Sequence, residues 1–379
     1  MLKGRILATG GAGYIGSHLT VELLGAGYEV VILDNFENSD RTTVNRIPKL
    51  AQGPVTLVEG DVRNSDLVET VLRRHRIDAV VHLAGKKAVG ESVRDPLRYF
   101  NDNLMGALSL FRARRAVQAN NLLFSSSATV YGTPEQLPIR ETAPTSISNP
   151  YGRTKLMTEE IIDDMVAAYP AMRAISLRYF NPVGAHASGQ IGENPRGVPN
   201  NLFPYVAQTA AGWRSMVEVY GDDYATEDGT GLRDYIHVVD LARGHVAAMA
   251  HLLSPAGGQV RHRRINLGTG KGHTVLQVIK AFSQACGFTV PYRIVPRRPG
   301  DAAASLADAT LAQELLDWRA RHSLAEMCRD QWLFQKGVAQ AETAGGVVLR
   351  FPAGLNPAAL LGLGSAIEHR SLSERPSPA

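Results

Sequence analysis

The 379-residue chain predicts an α/β fold, a Rossmann-type doubly wound parallel sheet followed by a smaller C-terminal α/β substrate domain. Three observations carry that expectation. Short apolar runs alternate with helical patterns from Arg5 to about Tyr179, the first run ends in a glycine-rich turn that opens a helix, and the second ends in an acid. Apolar stretches as unbroken as Ala79-Val-Val-His-Leu83 suit strands of a parallel sheet covered on both faces.

Arg5 to Thr9 reads as the first strand, Gly10-Gly-Ala-Gly13-Tyr14-Ile15-Gly16 as the turn, and Ser17 to Leu24 as the helix behind it. Such glycines allow a tight turn, a close approach of backbone to a pyrophosphate and close packing of helix on strand, and the helix N-terminus attracts the phosphates. Glu29 to Leu33 is the second strand, ending in Asp34. A carboxylate there accepts the adenosine ribose hydroxyls and repels a 2'-phosphate, so NAD is favoured over NADP. A third strand from Val55 ends at Asp61-Val62, a helix follows over Ser65–Arg74, and Ala79–Gly85 gives a fourth strand. One long amphipathic helix is expected from about Leu97 to Ala119.

Leu122 to Tyr131 runs from a strand into a serine cluster, and ligands of open α/β sheets sit at the carboxyl ends of the strands, which turns Ser127 toward the same crevice as the glycine turn. Asn149-Pro150 then starts a helix, and Tyr151 and Lys155, four residues apart, share one face of it. A tyrosine, with a reference pKa of about 10, needs roughly 4 kcal/mol of differential stabilisation to serve as a base near neutrality. One cation at ~4 Å and an effective dielectric of ~20 supplies about that much, before burial opposes it. Taken alone, a Tyr-x-x-x-Lys pair reads more readily as surface decoration, and a serine run equally as a turn. Convergence on one crevice favours the chemical reading.

From Gly184 the βα alternation lapses. The sequence divides into a dinucleotide-binding domain over 1–180, a ligand-binding domain over 181–337 with segments that return to the first, and a poorly ordered, low-complexity tail over 338–379. In the second domain Asn201, Arg233, Arg298 and Asp301 occupy loop-like positions, and guanidinium forks there suit an anionic ligand, although any single arginine can equally be a solvated surface residue. Thr274 to Cys286 reads as a structural helix with Val275, Ile279 and Phe282 on one stripe.

Composition narrows the classes. With 44% apolar and 20% charged residues the chain is that of a globular protein, and a net charge of +4 from scattered Lys and Arg argues against nucleic acid. Two cysteines without metal-ligand or disulfide spacing suit a reducing compartment, with the cytoplasm expected, and no metal. No run of 18 apolar residues anchors the chain in a membrane.

The strings TGGAGYIGSH (9–18), EGDVRN (59–64), AGKKAVGES (84–92), SSSATVYG (125–132), YGRTK (151–155) and RYFNPVGAH (178–186) resemble the extended short-chain dehydrogenase/reductases, and within them the nucleotide-sugar 4-epimerases. The resemblance covers roughly residues 3–335 and implies reversible epimerisation at C4 of UDP-glucose and UDP-galactose through a 4-keto intermediate, with NAD held through turnover. It implies Tyr151 as the base, Lys155 as the residue that lowers its pKa and holds the nicotinamide ribose, and Ser127 on the reacting oxygen. It assigns to the cofactor Gly10, Gly13, Tyr14, Ile15, Gly16, Asp34, Asn35, Asp61, Val62, Ala84, Gly85, Lys87, Asp102 and Tyr179 besides the Tyr–Lys pair. The UDP-hexose falls to Asn181, Asn201, Leu202, Tyr220, Arg233, Arg298, Asp301 and Ser305, together with Ser127 and Tyr151. A homodimer through two helices per subunit, at Leu97–Ala119 and from Tyr151, is implied as well.

Three departures stand out. Asp102 replaces an asparagine of the family near the expected nicotinamide ribose, Arg261-His-Arg-Arg264 is an unusual basic run, and Ser305 stands where relatives restricted to glucose and galactose carry tyrosine, which implies room for UDP-GlcNAc and UDP-GalNAc. A dehydratase or decarboxylase on this scaffold would need an acidic pair where Ser127-Ala128-Thr129 stand, and a non-catalytic NAD-sensing regulator would be expected to lack Tyr151 or Lys155.

Overall fold

The structure is a computed structural model that describes residues 3–195, 197–255, 261–298 and 301–344. Its strands are β1 Arg5–Thr9, β2 Glu29–Asp34, β3 Thr56–Glu59, β4 Ala79–His82, β5 Asn121–Ser127, β6 Arg173–Tyr179, β7 Asn181–Val183, β8 Val217–Tyr220, β9 Leu232–His237, β10 His262–Leu267, β11 Gly272–Thr274, β12 Tyr292–Val295 and β13 Ala304–Ser305. Its helices are α1 Tyr14–Gly25, α2 Arg41–Ala51, α3 Ser65–Arg74, α4 Val89–Arg94, α5 Pro96–Tyr99, α6 Gly106–Val117, α7 Pro150–Ala168, α8 Leu202–Ala210, α9 Val238–Leu253, α10 Val275–Cys286, α11 Thr310–Leu316 and α12 Leu324–Ala344.

Seven parallel strands form the main sheet in the order β10-β6-β5-β4-β1-β2-β3. The order reverses between β1 and β4, which leaves a crevice at their carboxyl ends where ligands of such sheets bind. Ile6, Leu7, Ala8, Val80 and Val81 are completely buried because helices cover both faces. One face packs on α1, α9 and α11 through Leu19, Leu241, Met249 and Leu316, and the other on α3, α6 and α7 through Val68, Leu110 and Ile162. Helix α9 and strand β10 thus thread the chain back into the main sheet after it has left through β7.

The second lobe is built on β7, β9, β11 and β13, which share one small sheet, and on the parallel pair β8–β12. Its core joins α8, α10 and α12 through Phe203, Phe282, Met327 and Trp332. Thr274 Oγ1 accepts a hydrogen bond from the Gln277 amide and Gln277 Oε1 accepts one from the Thr274 amide, a reciprocal cap that fixes the start of α10.

Two expectations need correction. The single helix over Leu97–Ala119 is divided: α5 gives way to a π-helical turn over Phe100–Met105 before α6 begins, and Gln118 ends α6 in the left-handed conformation. A π turn adds a residue to the helical repeat, a local register change that hydrophobic periodicity does not announce. The tail does not begin at Val338, since α12 continues to Ala344 and buries Ala339 against the second-lobe core. The remainder of the expected tail lies outside the described residues.

Candidate active site

A cavity of about 1700 Å³ opens at the carboxyl ends of β1 and β4 and runs beneath the second lobe. Its first wall is the glycine turn. Gly10 adopts φ +71°, and a Cβ there would lie 2.7 Å from the Ala84 amide nitrogen, while a Cβ at Gly16 would lie 2.2 Å from the Gly10 carbonyl oxygen. Only glycine closes this turn, and Gly13 begins α1 without a side-chain cap, so the first-turn N–H groups are open to an anion. That cradle fits the pyrophosphate of a dinucleotide.

Asp34 is buried on the wall, where its carboxylate accepts from the amides of Ala12 and Phe36, both at 3.0 Å, and from Ser39 Oγ at 2.7 Å. It therefore pins the glycine turn as well as facing the cavity. Asp61 accepts from Arg63 Nη2 at 2.7 Å and Nε at 3.0 Å, and these bonds hold its carboxyl down to about 2. Asn35 Nδ2 also reaches Asp61, at 3.2 Å. Asp102 lines the same cavity. It pairs with Arg63 Nη1 at 2.7 Å and faces Lys86 at 3.6 Å and Arg98 at 3.8 Å, in the ion cluster around Asp61 at the expected adenine end. The unusual acid is thus matched by three cations.

The next wall joins β5 to α7. Asn149 caps the start of α7 by accepting from the Gly152 amide at 2.8 Å, and Pro150 occupies the first turn, which presents Tyr151 and Lys155 to the cavity together. Lys155 Nζ is 5.9 Å from the centre of the Tyr151 ring and donates to the Ser125 carbonyl at 2.7 Å. Ser127 Oγ accepts from Thr129 Oγ1 at 2.9 Å and shares the cavity wall with the phenol, whose pKa it acts to lower. Burial pushes the Tyr151 pKa up, and the bond to Ser127 only partly opposes it. Burial likewise pushes Lys155 down to about 8, opposed by Glu159. The ammonium is engaged by the Ser125 carbonyl, and desolvation of the phenolate dominates, in line with the expected opposition of burial to a single cation. Tyr179 lines the cavity beside them and hydrogen-bonds His245.

Groups from both lobes close the far side. Lys87 Nζ donates to Glu193 Oε1 at 2.6 Å, and Asn201 Nδ2 to the same oxygen at 2.8 Å. Tyr14 Oη donates to the Gly184 carbonyl at 2.7 Å, tying the glycine turn to the second lobe. Arg298 pairs with Asp301 at 2.9 Å and stacks 4.7 Å from the Tyr220 ring, while Arg233 stands 3.9 Å from Asp301. Ile15, Val62, Ala84, Gly85, Asn181 and Leu202 also line the cavity.

Ser305 does not line the cavity. It sits partly buried in the two-residue strand β13, in parallel register opposite Arg233. Sequence reasoning missed Glu193, a buried carboxylate in an anion-binding wall, and Asn103, which holds Lys86 by bonds to its amide (2.7 Å) and carbonyl (3.0 Å). Neither has a local signal, since a loop carboxylate is meaningful only once Lys87 and Asn201 are brought to it.

Fold and site together define a dinucleotide-binding enzyme of the extended short-chain dehydrogenase/reductase class. A family model described as GDP-mannose 4,6 dehydratase matches residues 7–331. A UDP-glucose 4-epimerase of Erwinia amylovora is 51% identical over 339 residues, covering 89% of this chain and 99% of that one. One from Mus musculus is 50% identical, covering 88% and 96%. Among solved structures, UDP-glucose-4-epimerase from Stenotrophomonas maltophila with bound NAD and formylated UDP-arabinopyranose superposes with a TM-score of 0.87 at 50% identity, covering 89% of this chain and 99% of that one. The Bifidobacterium longum enzyme in complex with NAD+ and UDP gives 0.84 at 47%, covering 90% and 100%. The chain belongs to the UDP-glucose 4-epimerase family.

Proposed function

We propose that the chain interconverts UDP-glucose and UDP-galactose by inversion at C4, with NAD in the cavity. The observation that carries this reading is the placement of Tyr151, Lys155 and Ser127 on one wall of a cavity whose other walls are the glycine turn and the arginine- and amide-bearing second lobe. When bound, NAD supplies the oxidation and re-reduction of the sugar C4.

The chain's own residues do the rest. Tyr151 removes the proton of the sugar 4-OH and later returns it, and Ser127 Oγ hydrogen-bonds the same oxygen. Lys155 stays protonated and stabilises the phenolate across the ring. Asn201, Arg233 and Arg298 hold the uridine diphosphate, whereas the hexose meets few polar groups, so the 4-keto sugar can turn about the pyrophosphate and present its other face. Oxidation and reduction cancel over the cycle.

Incubating the purified protein with UDP-galactose and measuring UDP-glucose, with Tyr151→Phe as control, tests the reading. Absence of product from the wild type would refute it. Acceptance of UDP-GlcNAc, which the small Ser305 side chain suggested, gains no support from the cavity wall, and belongs in the same panel as a second arm.

The homodimer implied by the resemblance would pack through the helical stretch over Leu97–Ala119 and the helix beginning at Tyr151. Val93 and Leu97, 61% and 79% exposed, form an apolar strip there that supports the assignment. Free, buried Cys286 and Cys328 support a reducing compartment, proposed as the cytoplasm. Among the described residues no helix is long and apolar enough to cross a membrane.

A further inference from the structure

We infer that Glu159, with Arg264 behind it, is a positioning residue for Lys155: it fixes the place of the ammonium and helps set its charge. The inference rests on the reading that Lys155 works in epimerisation. Tyr151, Lys155, Glu159 and Asp163 recur every fourth residue along one face of α7, so Glu159 lies one turn beyond Lys155. Its carboxylate is completely buried. It accepts from Ser126 Oγ, from Arg178 Nε at 3.0 Å and Nη2 at 2.6 Å, and from Arg264 Nε at 3.0 Å.

Ser126 stands between Ser125, whose carbonyl takes Lys155 Nζ, and Ser127, beside the phenol, so the buried carboxylate anchors the strand end that carries both contacts. The basic run at the sheet edge finds its partners here. Arg264 also pairs with Asp163, and His262 Nδ1 lies 2.7 Å from Asp163 while its Nε2 accepts from Ser176 Oγ at 2.8 Å. The unusual run thereby forms the outer end of an ion-pair chain that ends at Glu159, one helical turn from Lys155.

The groups facing Lys155 are Tyr151 and Glu159 on α7, His82 from β4, and the Phe124 ring and Ser125 carbonyl from β5. His82 is held neutral by burial, with its pKa pushed to about 3, and burial keeps Tyr151 protonated. Glu159 is the anion of the set: burial raises its pKa, but Arg178 and Ser126 bring it below the ordinary value. Arg178 and Arg264 in turn screen it.

The test is to titrate Lys155 directly. The chain has eight lysines, few enough for a ¹³Cε-lysine spectrum of the intact NAD-loaded protein in which the Lys155 signal is assigned by its loss in Lys155→Met. Glu159→Gln removes the facing negative charge and should lower the Lys155 midpoint by about one to two pH units. Arg264→Met removes a screening positive charge and should raise it by a smaller amount. The alkaline limb of kcat should move in the same directions, since the protonated lysine is the working form. Opposite shifts support the inference, because mere loosening of the fold would move both variants alike. An unchanged midpoint in Arg264→Met, or shifts of one sign in both variants, would overturn it, and Arg264→Met remains readable if Glu159→Gln does not fold. A wild type that titrates as expected but makes no UDP-glucose would refute the epimerase reading instead.

Discussion

The Lys155 ammonium lies 5.9 Å from the centre of the Tyr151 ring, yet its hydrogen bond goes to the Ser125 carbonyl at 2.7 Å. The lysine therefore acts on the phenol through space, across a buried site where desolvation favours the neutral phenol. The protein alone does not prepare the phenolate, and the missing positive charge must arrive with the cofactor. The predictions below follow from that division of labour and from the packing around it.

Tyr151→Phe should lower kcat by about 10²–10⁴, the range for losing a general base, while KM for the UDP-sugar changes little because the nucleotide is held from the second lobe. Steady-state kinetics with UDP-galactose would show it. A tenfold or greater rise in KM at unchanged kcat would place Tyr151 in binding instead.

Gly16→Ala should abolish retention of NAD, because its Cβ would lie 2.2 Å from the Gly10 carbonyl oxygen and force the turn open. Nucleotide released from heat-denatured protein, measured by absorbance and chromatography, should fall from near one equivalent to a trace. Stoichiometric NAD in a folded Gly16→Ala protein would mean that the turn is not the cradle.

Arg114 is a liability within the core. Its three guanidinium nitrogens are buried without a hydrogen-bond partner, and burial pulls its pKa down to about 9. Replacing a buried charge with an apolar side chain of similar shape often stabilises by about 1–4 kcal/mol, so Arg114→Met should raise Tm. The sign with pH follows from linkage. The folded pKa lies below the unfolded value, so the penalty is present in full below about pH 9 and is relieved as the pH rises toward the unfolded value. The advantage of Arg114→Met over wild type should accordingly shrink in alkali. A lower Tm at neutral pH would show that Arg114 has a stabilising role.

Much of this was legible locally. The spans Arg5–Thr9 and Ser65–Arg74 follow from apolar runs and helical periodicity, and Asn149-Pro150 announces α7 because its side chain and ring suit a first helical turn. The glycine turn places itself, since its spacing encodes its own backbone geometry. What was not legible depends on residues distant in sequence. Which segments return to the main sheet, namely α9 and β10, the bridge from Lys87 through Glu193 to Asn201, and the reach of Arg264 to Glu159 are each set by tertiary pairing that no local period records. The place of Ser305 depends on distant pairing too: its motif position is local, but its register beside Arg233 is fixed by pairing of β13 with β9.

The central claim is that the Tyr151 phenolate depends on two positive charges, one from Lys155 and one from oxidised nicotinamide. Difference absorbance of tyrosinate against pH, referenced to Tyr151→Phe, reads this directly in protein loaded with NAD and in protein loaded with NADH. The account predicts a Tyr151 midpoint at least about one pH unit lower with NAD than with NADH. Equal midpoints in the two forms would contradict it.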